Sequence, residues 1–98
     1  MERINNYING ELNSPVSNQY LDNYEPATSE VYSLCPDSDE RDIQLAYEAA
    51  KSAFEGWSKT SLESRMLMLM KVADGIENRL DEFVAAESKD NGKPKKLA

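Results

Sequence analysis

The sequence has no histidine and a single cysteine, Cys35. The first absence, with one thiol only, removes any Cys/His zinc set. The second rules out a disulfide within the chain, and such cysteine usage suits an intracellular protein. No apolar stretch approaches the roughly 18 residues that suggest a membrane span. The opening "MERINNYING" has no apolar core run, so no signal peptide is expected there. Glycine is sparse: Gly10, Gly56, Gly75 and Gly92 stand far apart, so no G-x-G-x-x-G dinucleotide loop exists. Apolar residues reach only 40% of the chain. An ordinary globular domain has roughly 45–50%. The net charge of -7 argues against broad contact with nucleic-acid phosphates, which requires clustered Lys and Arg. Lysines bunch only at Lys89, Lys93, Lys95 and Lys96, where they complement a helix C-terminus and face water.

What is present divides at about residue 36. Residues 1–36 are strand and turn material. In "NNYINGEL", Asn9-Gly10 between apolar residues predicts a tight hairpin, because both central positions need positive φ. "QYLDNYEP" predicts a second extended piece, with Pro26 keeping Glu25 out of the helical region. "VYSLC" predicts a short strand that Pro36 ends. Residues 37–57 predict a helix capped by Ser38 or Asp39. Its apolar stripe is Ile43, Ala46, Tyr47, Ala50, Ala53, Phe54 and Trp57, with an alanine-rich middle that lets another backbone approach. Ser61 caps a second helix carrying Met66, Leu69, Met70, Ala73 and Ile76. A break near Asn78, whose side chain can cap a new turn, starts a third helix running to about Asp90. Gly92 sits where a left-handed residue closes a helix. The faces expected to point inward are Ile43, Ala46, Ala50, Phe54, Leu69, Ala73, Ile76, Phe83 and Val84. Such broad faces exceed what a thin ribbon covers, so the helices suit a sheet that these residues do not contain.

The residues that carry chemistry form no catalytic set. Cys35 has Asp37 and Asp39 beside it, the wrong neighbours for a reactive thiolate, and reads as a small half-buried apolar residue. "DNGK" lacks the phosphate-loop pattern: Glu87 stands where a glycine is needed and Pro94 where Ser or Thr is needed. The acid pairs Asp39/Glu40 and Asp81/Glu82 lie at helix starts, where the dipole explains them. Met66, Met68 and Met70 straddle the faces of one helix and suit packing.

The ordered pieces "YINGE", "YEPATSEVYSLCPDSDERDI", "AYEAAKSAFEGWSK" and "SRMLMLMKVADGIENRLDEFVAAESKDNGKP" resemble the N-terminus of an NAD(P)-dependent aldehyde dehydrogenase. The family's form there is Y-I-N-G, N-P-A-T-G-E-V, A-x-x-A-A-K-x-A-F-x-x-W, and then a helix ending in D-N-G-K-P. The resemblance covers about Tyr7 to Pro94. "DNYEPATSEVY" is most similar to the branch acting on 2-aminomuconic or 2-hydroxymuconic semialdehydes. Two departures stand out: Ser29 replaces the glycine of T-G-E, and Cys35 takes a position often filled by valine.

The resemblance implies an α/β fold, the N-terminal part of a Rossmann-like cofactor-binding domain. A short antiparallel β-ribbon precedes two to three amphipathic helices. Residues 1–36 would be ribbon and strand, 37–92 a helical cover of the cofactor domain, and 93–98 the start of a following helix. It implies a cytoplasmic parent, a homodimer or homotetramer, that oxidises an aldehyde to a carboxylic acid with NAD or NADP. The family's nucleophilic cysteine, glutamate base and nucleotide-binding lysine lie beyond the equivalent of Ala98. No catalytic or cofactor-binding residue is therefore assigned here, Cys35 is not the nucleophile, and the chain alone is expected to be inactive. The resemblance further implies a sodium or potassium ion held by the Asn23 and Tyr24 carbonyls and by Asp90. The alternative is that Asp90 only closes a helix end. Two rival functions remain at this point, a stand-alone helical interaction module and a nonfunctional truncated product.

Overall fold

A computed structural model describes residues 1–98, which form two compact units: Met1–Tyr24 with Glu30–Ser58, and Glu25–Ser29 with Lys59–Ala98. The first unit holds β1 (Glu2–Arg3), β2 (Asn6–Ile8), β3 (Glu11–Asn13), most of β4 (Tyr20–Glu25), β5 (Glu30–Pro36) and helix α1 (Glu40–Trp57). The expected hairpin is β2–β3, with Tyr7 opposite Leu12 and Ile8 opposite Glu11. Asn9 (φ 55°) and Gly10 (φ 80°) make its turn. They are the left-handed pair that a two-residue loop requires. The Asn13 amide donates to the Glu11 carbonyl at 3.2 Å within β3 and to the Ile8 carbonyl at 3.4 Å across the hairpin.

The other sheet has the order β1-β5-β4. Connection 26–29 is far too short for a parallel crossover, so β4 and β5 run antiparallel. β1 pairs with β5 in parallel, Glu2 opposite Ser33 and Arg3 opposite Leu34. This sheet is wider than the ribbon the sequence suggests. β1 has only two polar residues and no alternation, so nothing local marks it as a strand. Its position is set by pairing, extended by Ile4 N–H donating to the Leu34 carbonyl at 2.8 Å. Arg3 lies 4.8 Å from the centre of the Tyr20 ring, a cation–π contact. The Tyr20 hydroxyl donates to Asn5 Oδ1 at 2.7 Å.

The second unit holds the 25–29 turn, α2 (Leu62–Asn78), α3 (Leu80–Asn91) and a 3-10 turn at Lys95–Leu97. Ser61 caps α2, its hydroxyl accepting from Ser64 N–H at 3.1 Å. The break before α3 falls on Arg79 (φ -124°, ψ 29°), not on Asn78, which ends α2. No side chain caps α3; instead Arg79 grips Glu82 through Nε at 2.8 Å and Nη2 at 3.1 Å. The expected Asn78 cap is thus replaced by an ion pair one residue later. Gly92 (φ 78°) closes α3 with its N–H on the Ser88 carbonyl at 2.9 Å. This is the left-handed helix stop that the sequence predicts.

The expected inward packing does not occur. No hydrophobic side chain is buried, and Ile43, Phe54 and Leu69 are 70%, 66% and 69% exposed. The apolar stripes keep helical spacing, but within these residues nothing covers them. Burying side chains of this size stabilises a protein by roughly 1.5–3 kcal/mol each, so a large apolar driving force is left unused.

Candidate functional site

The structure places the candidate residues on different elements. Asn23 and Tyr24 are consecutive on β4, and the Asn23 amide donates to Ser33 Oγ on β5 at 3.0 Å. Asp90 lies in the last turn of α3, in the second unit. Cys35 is a half-buried free thiol on β5, consistent with a packing role. No group of three or more Cys, Asp or Glu side chains converges as a metal site would require.

The acid pairs at helix starts are accounted for by local geometry. Asp39 caps α1: its Oδ1 accepts from Arg41 N–H at 2.9 Å, and the Arg41 guanidinium lies 2.7 Å from Oδ2. That guanidinium holds the Asp39 carboxyl below the usual carboxylate range. Arg79 does the same for Glu82. Both carboxylates are committed to ion pairs on the surface, not poised for proton transfer.

Asp42 is the functional-looking residue that sequence reasoning missed. It is 4% exposed and sits in the first turn of α1. Its Oδ2 accepts from Asp39 N–H at 3.0 Å and completes a capping box. Its Oδ1 accepts from Val16 N–H at 2.9 Å. One carboxylate therefore joins the helix start to the turn at residues 15–18, where Pro15 is buried and Asn18 N–H donates to the Pro15 carbonyl. The available signal is an acid three residues after an N-cap acid, a spacing that permits reciprocal capping.

The hairpin turn and α1 frame an open groove of about 430 Å³, lined by Tyr7 to Gly10 and by Ala46, Ala49, Ala50 and Ala53. Ala46, Ala50 and Ala53 stay exposed, so the hairpin does not close on the alanine-rich middle of α1. Tyr47, Phe54 and Trp57 on α1, and Met66, Leu69 and Ile76 on α2, are each at least 41% exposed. Apolar area of this extent is more than singly scattered surface residues provide.

Small sheets and uncovered amphipathic helices are the chain's main features. The profile of the aldehyde dehydrogenase family matches residues 13–98. The chain belongs to the aldehyde dehydrogenase family. It is 45% identical over 95 residues to a 2-aminomuconic semialdehyde dehydrogenase of Bos taurus, covering 97% of this chain and 19% of that protein. The corresponding Danio rerio protein is 48% identical over 90 residues, covering 92% of this chain and 18% of its own length. Among solved structures, a mutant aldehyde dehydrogenase of Bacillus cereus superposes with a TM-score of 0.92 at 37% identity. That match covers 99% of this chain and 20% of the other. The chain thus spans about a fifth of the length of the relatives it matches. No helix is long and apolar enough to cross a membrane.

Proposed function

We propose that residues 1–98 form the N-terminal segment of an NAD(P)-dependent aldehyde dehydrogenase that oxidises a muconic semialdehyde to the acid. The observation that carries this reading is the 45% identity to a 2-aminomuconic semialdehyde dehydrogenase over 97% of the chain. The bare apolar faces of α1 and α2 support it, because they fit helices made to lie on the cofactor-domain sheet. In this reading the reaction is covalent catalysis. A cysteine thiolate outside these residues attacks the aldehyde, hydride leaves to the nicotinamide, and a glutamate activates the water that releases the acid. Residues 1–98 contribute helical cover and positioning, within a cytoplasmic homodimer or homotetramer.

The cation assignment belongs to the same proposal and rests on the family resemblance. The Asn23 and Tyr24 carbonyls and the Asp90 carboxylate would supply part of the oxygen shell that a hard cation needs.

The test is a chimera in which this chain replaces the matching N-terminal stretch of the Danio rerio relative. NAD(P)H formation from 2-aminomuconic semialdehyde and from unrelated aldehydes is followed by absorbance. The expected result is turnover by the chimera, no turnover by the chain alone, and no loss on Cys35→Ser. A folded but inactive chimera, or activity in the isolated chain that Cys35→Ser abolishes, contradicts the proposal. Exchanging sodium and potassium for a large organic cation should lower the chimera's melting temperature, and Asp90→Ala should remove that effect.

A further inference from the structure

The chain holds the same dipeptide twice, Asn9-Gly10 and Asn91-Gly92, in two opposite settings. Asn-Gly is the pair most open to intramolecular amide chemistry, because glycine puts no side chain in the way of its own nitrogen. At Asn9 the dipeptide forms the hairpin turn, with φ values of 55° and 80°. Both residues are exposed, and a Cβ built on Gly10 would meet nothing within 4 Å. Gly10 lies outside the paired residues of the hairpin, and neither its N–H nor the Asn9 carboxamide is held by a hydrogen bond.

At Asn91 every group the reaction would use is held. The Asn91 amide donates to Glu87 Oε1 at 2.7 Å, and its Oδ1 accepts from Lys93 N–H at 2.8 Å. Gly92 N–H, the attacking group, donates to the Ser88 carbonyl at 2.9 Å. Turning that nitrogen toward the Asn91 carboxamide breaks all of these bonds and opens the last turn of α3. Gly92 is also pressed on Pro26, whose Cβ lies 3.2 Å from a Cβ built there.

We infer that Asn9 is a site of spontaneous deamidation to aspartyl and isoaspartyl forms, whereas the identical dipeptide at Asn91 is protected by its hydrogen bonds. The step is a substitution without redox change. Gly10 nitrogen loses its proton to solvent and attacks Asn9 Cγ, the Cγ–Nδ2 bond breaks, and ammonia leaves. Water then opens the succinimide at either carbonyl. The isoaspartyl product adds a methylene to the backbone of this two-residue turn. The Ile8–Glu11 pairing loosens, and a new negative charge appears beside the alanine-lined groove.

The test ages the native protein, with whatever polypeptide accompanies residues 1–98, in neutral buffer and then maps peptides by mass. The readout is the amide-to-acid mass shift and the isoaspartyl content of the two Asn-Gly peptides. A parallel sample is aged in denaturant. The expected result is a shift at Asn9 well ahead of Asn91 in the native sample, comparable shifts at both in denaturant, and loss of the Asn9 shift in Asn9→Gln. Equal or faster shift at Asn91 in the native protein, or no shift at Asn9, overturns the inference. So does the same Asn9-to-Asn91 ratio in denaturant, because the difference would then not come from the fold.

Discussion

Replacing Ser29 by glycine should stabilise this protein, although it removes a side chain. Ser29 stands in the turn between β4 and β5 with φ 61°, a left-handed conformation. It is exposed, and its N–H donates to the Glu25 carbonyl at 2.8 Å. An L-residue with a Cβ is held there at a cost of about 1–2 kcal/mol. Glycine relieves that strain but brings an unfolded-state entropy cost of roughly 0.5–1 kcal/mol. The net gain is on the order of 0.5–1 kcal/mol. With about 4–8 °C per kcal/mol for a domain of this size, the midpoint should rise by roughly 2–8 °C. The hydrogen bond to Glu25 is a backbone one and survives the change. Thermal unfolding of the chain followed by circular dichroism, with all variants at one protein concentration, reads the effect. Ser29→Ala is the control: it keeps the Cβ and should give no such rise. A midpoint for Ser29→Gly at or below that of the parent sequence refutes the strain argument.

Gly92→Ala should lower the midpoint. It forces a Cβ into left-handed backbone, at about 1–2 kcal/mol. It also sets that Cβ 3.2 Å from Pro26 Cβ; a melt shows the size of the loss. Asp42→Ala should cost on the order of 1 kcal/mol, because two part-buried donors lose their acceptor. The donors are Val16 N–H at 2.9 Å and Asp39 N–H at 3.0 Å. Denaturant titration measures the cost, and Asp42→Asn should recover part of it. The depressed Asp39 and Glu82 carboxyls stabilise the fold when ionised. Their contribution is present above the ordinary carboxylate range and is lost as the pH falls through their lowered pKa values. Carboxyl NMR titration should place both below the usual range, with Arg41→Gln raising Asp39 and Arg79→Gln raising Glu82.

The elements legible in the sequence are those that local chemistry decides. Asn9-Gly10 announces its hairpin, Ser61 its helix start and Gly92 its helix stop, because each depends on one or two residues' dihedral or capping preferences. What tertiary pairing decides is hidden. β1 is a strand only because β5 lies beside it. Asn78 has the composition of a cap, yet the chain turns at Arg79, where a two-point ion pair to Glu82 takes over. Asp42 looks like one more acid at a helix start until its second oxygen is found on Val16. The apolar stripes are correctly spaced, but spacing does not say what covers a face. The family itself is legible because the order of pieces, from the hairpin to D-N-G-K-P, carries more information than any one of them. The cation assignment at Asn23, Tyr24 and Asp90 comes from that resemblance alone, since backbone carbonyl ligands leave no side-chain signature.

If α1 and α2 cover a sheet of the cofactor domain, as proposed, their bare apolar faces should make this chain associate when alone. Sedimentation velocity of this chain over a range of concentrations, paired with thermal melts of the same samples, tests it most directly. Self-association that grows with concentration, a broad low-temperature transition and a midpoint that moves with concentration are expected. The net charge of -7 slows association but leaves the faces uncovered. A clean monomer at every concentration, melting sharply at one temperature, would contradict it.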